Sequence, residues 1–82
     1  MRVKLVFYGG LKRTIGAGEH ELAVDSHELT VEELLDLLAE RYPQVRGSLP
    51  SVACAIGARI VGRDHRVHDG DTVAILPPVS GG

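Results

Sequence analysis

The sequence has few of the side chains from which small proteins build chemistry of their own. Its 82 residues hold one cysteine, no tryptophan, one phenylalanine and two tyrosines. A lone Cys54 excludes an intrachain disulfide and a four-cysteine iron–sulfur cluster. No stretch approaches the roughly 20 apolar residues needed to span a bilayer, so no membrane association is expected. The opening residues lack the basic and apolar regions of a secretion signal, and the expected location is cytoplasmic. A basic excess is also missing. Nine Lys and Arg against eleven Asp and Glu leave a net charge of -2, which removes the usual electrostatic case for a nucleic-acid partner.

What remains is one small domain. Ordering a chain costs on the order of 1.5 kcal/mol per residue, so most of the 44% apolar residues must serve the core. That leaves little room for a buried cofactor or a deep substrate cavity, and no stably bound cofactor is expected. The chemistry is therefore expected on a partner.

Residues 1–8 alternate as a strand, with Val3, Leu5 and Phe7 on one side and Arg2, Lys4, Val6 and Tyr8 on the other. Gly9-Gly10 ends this run, and a loop to about Gly18 leads to a second strand over residues 20–24, with Leu22 and Val24 inward. Thr30 and Glu33 have the spacing of a capping box. Val31, Leu34, Leu35, Leu38 and Tyr42 follow as one helical stripe, with Glu32, Glu33, Asp36 and Glu40 on the wet side. Pro43 stops this helix near Tyr42. A short strand is expected over residues 52–56, its parity left open by the alternating alanines. An edge strand follows over 59–61, and a last strand over 72–76 after the Asp69-Gly70 turn, with Val73 and Ile75 on one side and Ala74 and Leu76 on the other. Strands around a single main helix predict an α+β domain of the β-grasp type over residues 1–76, a mixed sheet packed on that helix. Residues 77–82 form an extended tail.

Internal sites argue poorly. Gly9 to Gly18 contains Lys12 and Thr14 but lacks the order of a phosphate-binding loop, and the element after it is a strand. His65 and His68, with Asp64 and Asp69, offer metal-ligand types on a turn that also carries Arg63 and Arg66, and a solvated turn is the better reading. Cys54 lies among Val52, Ala53, Ala55 and Ile56 and reads as a small buried hydrophobe. Charge is segregated: residues 19–40 hold eight acids and no Lys or Arg, so the second strand and the helix form an acidic region that can orient a partner.

The strongest feature is the ending, Leu76-Pro77-Pro78-Val79-Ser80-Gly81-Gly82. The proline pair stiffens the chain as it leaves the last strand, and six extended residues reach about 20 Å. Gly81 and Gly82 have no side chains to obstruct a narrow channel. The Gly82 carboxylate thereby becomes an accessible group on a slender arm.

Asp69-Gly70-Asp71-Thr72-Val73-Ala74-Ile75-Leu76-Pro77-Pro78-Val79-Ser80-Gly81-Gly82 resembles the ending of the small subunits of molybdopterin synthase, which belong to the ubiquitin-like sulfur carriers. The order of the other elements follows the family over essentially the whole chain. Ile56-Gly57 stands where members often carry Asn-Gly, and Leu76 where a phenylalanine commonly precedes the prolines. The resemblance implies a carrier with its catalytic side chains mostly on partners. An adenylating, E1-like sulfurtransferase uses ATP to activate Gly82, and a sulfur donor protein converts it to a thiocarboxylate. The large synthase subunit then receives the tail, and sulfur passes to the cyclic pyranopterin precursor. Related carriers for tRNA thiolation, thiamine thiazole synthesis or protein conjugation are the alternative, followed by a non-catalytic β-grasp interaction module. If the first and last strands lie side by side, Val6, Tyr8, Ala74 and Leu76 form an apolar partner-binding patch at the root of the tail.

Overall fold

Alternation along the first strand sets the layers of the domain. In the computed structural model, which describes residues 1–77, strand β1 (Arg2–Phe7) buries Val3, Leu5 and Phe7 and turns Arg2 and Lys4 to water. Helix α1 (Gly9–Ile15), strand β2 (Glu19–Ala23), the two-residue strand β3 (Leu29–Thr30) and helix α2 (Val31–Arg41) follow. Two 3-10 turns, Pro43–Val45 and Leu49–Ser51, lead to β4 (Ala53–Ile56) and β5 (Arg59–Val61). The short β6 (Arg66–Val67) and β7 (Thr72–Leu76) complete the order.

Five strands form one mixed sheet in the order β2-β1-β7-β4-β5, and β3 pairs with β6 in a separate two-stranded ribbon. β1 runs antiparallel to β2 and parallel to β7, and β4 lies antiparallel to β7 and β5. The inner face, with Val3, Leu5, Phe7, Cys54, Val73 and Ile75, forms a common core with Val31, Leu34, Leu35 and Leu38 of α2. This is the expected β-grasp fold. Val73 and Ile75 are fully buried, and the parity left open in β4 is resolved with Cys54 inward. Leu22 is buried as expected, and Val24 packs against the core from just beyond β2.

The expected loop between β1 and β2 is instead largely the helix α1. Two successive glycines are poor helix formers, which hid it in the sequence. They open the helix for a different reason: Gly9 has φ +56, a left-handed conformation that turns the chain sharply out of β1. Leu11 then enters the core, and Ile15, one turn later, packs against it. The N–H of Gly16 closes the helix on the Lys12 carbonyl at 2.9 Å.

The N-terminus of α2 has two sets of partners. Thr30 and Glu33 form the reciprocal capping box: the Glu33 N–H donates to Thr30 Oγ1, and the Thr30 N–H donates to Glu33 Oε1. The amides of Val31 and Glu32 donate to the His65 and Arg63 carbonyls, both at 2.9 Å. The histidine-bearing turn thus satisfies helix amides that α2 itself leaves unpaired. Its side chains assemble no metal site, and among the described residues no group of three His, Cys, Asp or Glu is placed to hold one.

Three measurements check this packing. Thr30→Ala should lower unfolding free energy by about 1 kcal/mol. Leu35→Ala, which empties a position 3% exposed, should cost about 2–5 kcal/mol in the same urea titration. The hydrogen bonds from the Thr30 backbone and then its side chain hold the Glu33 carboxyl below its ordinary value. Its contribution is therefore complete above the ordinary carboxylate pKa and disappears as pH falls through the lowered folded value. Glu33→Gln should flatten that part of the acid limb of the stability curve.

Candidate functional site

The residues on the outer parity of β1 change character along the strand. At its start, Arg2 pairs with Glu21 and Lys4 with Glu19 across the β1–β2 ladder, both at 3.0 Å. Toward its end the face becomes apolar with Val6 and Tyr8. Register carries this change across the sheet: Val6 lies opposite Ala74, Ala74 opposite Ala55, and Ala55 opposite Ile60. One row higher, Leu76 lies opposite Ala53, with Tyr8 just past the end of β1.

The expected neighbours therefore lie in adjoining rows of one face. Val6, Ala74 and Leu76 are half-buried, and Tyr8 is 48% exposed. The sequence reading omitted Ile60, which at 67% is the most exposed large apolar side chain among the described residues. Its signal was faint: one isoleucine between Arg59 and Val61 on an edge strand of three residues.

Gly9 was also overlooked at this site. A methyl group in place of its α-hydrogen would lie 3.3 Å from Cγ of Pro77, so the missing side chain admits the first proline of the tail against the start of α1. Together with the positive φ, this close approach gives Gly9 two requirements that other residues meet poorly. Pro77 is thus placed at the junction of β7 with the apolar face. Pro78, Val79, Ser80, Gly81 and Gly82 lie outside the described residues.

The turn before β7 fixes that strand against β1. The Arg2 N–H donates to Asp69 Oδ1 at 2.7 Å, the Gly70 N–H donates to the Arg2 carbonyl at 2.8 Å, and the Lys4 N–H donates to the Asp71 carbonyl at 3.0 Å. Gly70 takes φ +87, which lets the backbone reverse here. The Asp71 carboxylate accepts from the His68 N–H at 2.8 Å. Asp69-Gly70-Asp71 is therefore the clamp that sets the β1–β7 register.

Other reactive groups are structural. Cys54 is 3% exposed, and burial raises its thiol pKa against the smaller opposing effect of Arg63. The Arg63 guanidinium donates to the Leu49, Pro50 and Val52 carbonyls, which ties the second 3-10 turn to the loop after β5. A concavity of about 570 Å³ lies between α2 and that turn, lined by residues that include Glu32, Asp36, Arg46 and Arg63, and none of the apolar-face residues enters it.

Residues 5–82 match the model of the ThiS family. The molybdopterin synthase sulfur carrier subunit of Escherichia coli (strain K12) is 32% identical over 82 residues, covering 98% of this chain and 99% of the relative. That of Dictyostelium discoideum is 30% identical over 81 residues, covering 96% and 94%. Among solved structures, SAMP1 from Haloferax volcanii superposes with a TM-score of 0.87 at 21% identity, covering both chains fully. A complex of subunits 1 and 2 of the molybdopterin-converting factor from Helicobacter pylori contains a chain that matches with a TM-score of 0.70 at 24% identity, again over 100% of each chain. The two structural likenesses speak for the fold, and the family-model match extends through the glycine pair. With its β-grasp sheet, this chain belongs to the ThiS family of sulfur carriers, to which the molybdopterin synthase small subunits are related.

Proposed function

We propose that this chain is the sulfur carrier subunit of a molybdopterin synthase and that the C-terminal carboxylate of Gly82 is its working group. The family match through residue 82, at the end of a tail rooted on an apolar sheet face, carries this reading. In the proposed cycle a Gly82 carboxylate oxygen attacks the α-phosphorus of ATP on an adenylating partner, and pyrophosphate leaves. The acyl-adenylate supplies the leaving group that a free carboxylate lacks. Sulfur at the sulfide level, brought by a donor protein, attacks the acyl carbon, and AMP departs with the C–O electron pair. The thiocarboxylate sulfur then attacks an oxygen-bearing carbon of the cyclic pyranopterin precursor on the large subunit, and the displaced oxygen substituent departs with the C–O electron pair. Water cleaves the resulting thioester, which leaves sulfur on the precursor and restores the carboxylate. The cycle belongs in the cytoplasm, where ATP and the partners are available.

In this reading Val6, Tyr8, Ala74 and Leu76 dock the domain, and residues 77–81 thread the reacting end into the partner. The complex in the Helicobacter pylori structure supports a two-subunit arrangement by analogy. Docking is a surface event, whereas transfer depends on where the last atom lies. The reacting group needs placement on the ångström scale, so tail length and clearance matter as much as affinity.

Two experiments separate these parts. Leu76→Asp should weaken calorimetric binding to the large subunit by roughly 2 kcal/mol, or roughly thirtyfold, while the unfolding midpoint of the isolated domain stays near wild type. Unchanged affinity would remove the apolar face from the interface. Deleting Gly82 should abolish precursor conversion while docking persists, and Gly81→Val should slow turnover far more than it perturbs folding. Full conversion by the shortened chain would defeat the carrier mechanism.

A further inference from the structure

We infer that the free edge of β2, with the groove between β2 and α2, accepts an extended apolar peptide segment flanked by Lys or Arg as an added strand. This surface is separate from the face at the root of the tail. Its evidence begins with hydrogen-bond parity. The Val24 N–H donates to the Met1 carbonyl at 2.8 Å, Met1 N donates back to the Val24 carbonyl at 2.7 Å, and the Phe7 N–H donates to the Gly18 carbonyl at 2.8 Å. These contacts make Met1–Val24 and Phe7–Gly18 hydrogen-bonded pairs of the antiparallel ladder. The intervening register then makes Val3–Leu22 and Leu5–His20 hydrogen-bonded pairs too. The backbone N–H and C=O groups of Glu19, Glu21 and Ala23 consequently point away from β1.

Nothing in the described sheet takes up that row, because β2 ends the strand order. Edge strands are commonly guarded by proline, charged side chains, a bulge or very short length. The sequence of β2 is Glu-His-Glu-Leu-Ala over five residues with no proline, and its exposed charges, Glu19 and Glu21, are both acidic, a guard against acidic strands and not against basic ones. The opposite edge, β5, offers only three residues.

The neighbouring groove supplies side-chain recognition. A concavity of about 350 Å³ is lined by Leu22, Ala23, Val24, Leu37 and, at its charged margin, Asp25, Glu40 and Arg41. Leu22 is buried and Val24 and Leu37 are half-buried, which gives the groove an apolar floor between strand and helix. A strand added beyond β2 directs alternate side chains to the helix side of the sheet, where this floor lies. Backbone pairing and an apolar groove thus address the same ligand.

Charge selects the occupant. Asp25 and Glu40 outnumber Arg41 at the groove, within a stretch, residues 19–40, that holds eight acids and no Lys or Arg. Glu19 and Glu21 are already paired with Lys4 and Arg2, so Asp25 and Glu40, which form no ion pair among the described residues, set the groove's preference for basic flanks. A second copy of this chain is a poor occupant. Antiparallel β2–β2 pairing about Glu21 sets that carboxylate opposite its own copy, and like charges directly opposite destabilise a sheet. β1 lies between β2 and β7, so a bound segment leaves the root of the tail open.

The test uses the full chain labelled with 15N and a capped synthetic peptide of alternating valine and threonine with a lysine pair at each end. Binding should shift the amides of Glu19, Glu21, Ala23, Leu37 and Glu40 and slow hydrogen exchange at Glu19, Glu21 and Ala23. N-methylation of the peptide at the residues facing β2 should weaken binding by roughly tenfold or more, as loss of backbone pairing requires. Ala23→Pro, which removes an N–H directed away from β1, should do the same, with its own amide spectrum reporting whether the fold is retained. Glutamate pairs in place of the lysines should also weaken binding. No shifts up to millimolar peptide, equal affinity of the N-methylated peptide, or shifts centred on Val6, Tyr8 and Ala74 would overturn the edge site. Equal affinity of the glutamate-flanked peptide would overturn the basic partner assigned to it.

Discussion

Parallel pairing of β1 with β7 brings the two ends of the domain together at the centre of the sheet, and both of its faces depend on the register of that pair. Joining strands so distant in sequence carries a loop-closure cost. Inner-face burial of Val3, Leu5, Phe7, Val73 and Ile75 offsets it, and the Asp69-Gly70-Asp71 turn clamps the strands where β7 begins. A slip of one residue would exchange the inner and outer sets on a strand. Core and apolar outer face are therefore specified together: the parity that buries Ile75 is the parity that presents Ala74 and Leu76.

The outer face divides its work along the strand direction. At the clamped end, Arg2 and Lys4 form exposed ion pairs with β2, interactions of modest value that keep this half hydrated. At the other end, Val6, Tyr8, Ala74, Leu76 and Ile60 present apolar surface with no charge among them. Pro77 leaves β7 beside Gly9 at this apolar end. A partner that covers the apolar rows would therefore meet the tail where it departs. On the other side of β1, the β2 edge offers backbone groups and an acidic groove, a different kind of recognition.

Much of this was legible in residue order. The strands alternate with a period of two, Thr30 and Glu33 mark the start of α2, and the outward parity of Val6 and Ala74 anticipates their neighbouring positions. α1 was hidden because Gly9-Gly10 opposes helix propensity, while only Leu11 and Ile15 mark its apolar side. The β3–β6 ribbon is two residues per strand, too short for a period to appear, and its value lies in burying Leu29 and Val67. The pairing of Pro77 with Gly9 needed the fold, since close approach across a strand end has no local sequence signature. Ile60 joined the outer face only once the β4–β5 register was known. At the reacting end the position is reversed: the glycine pair is explicit in the sequence, and its residues lie outside those the structure describes.

In the proposed cycle sulfur is carried on the terminal carboxylate of Gly82 and on no internal side chain. Intact mass spectrometry followed by fragmentation, after incubation with ATP, a sulfur donor and the cognate adenylating enzyme, tests it directly. An ATP-dependent mass increase equal to the replacement of one oxygen by sulfur, confined to the fragment containing Gly82, is the expected result. An unchanged mass, or sulfur added to the buried Cys54 in place of Gly82, would contradict it.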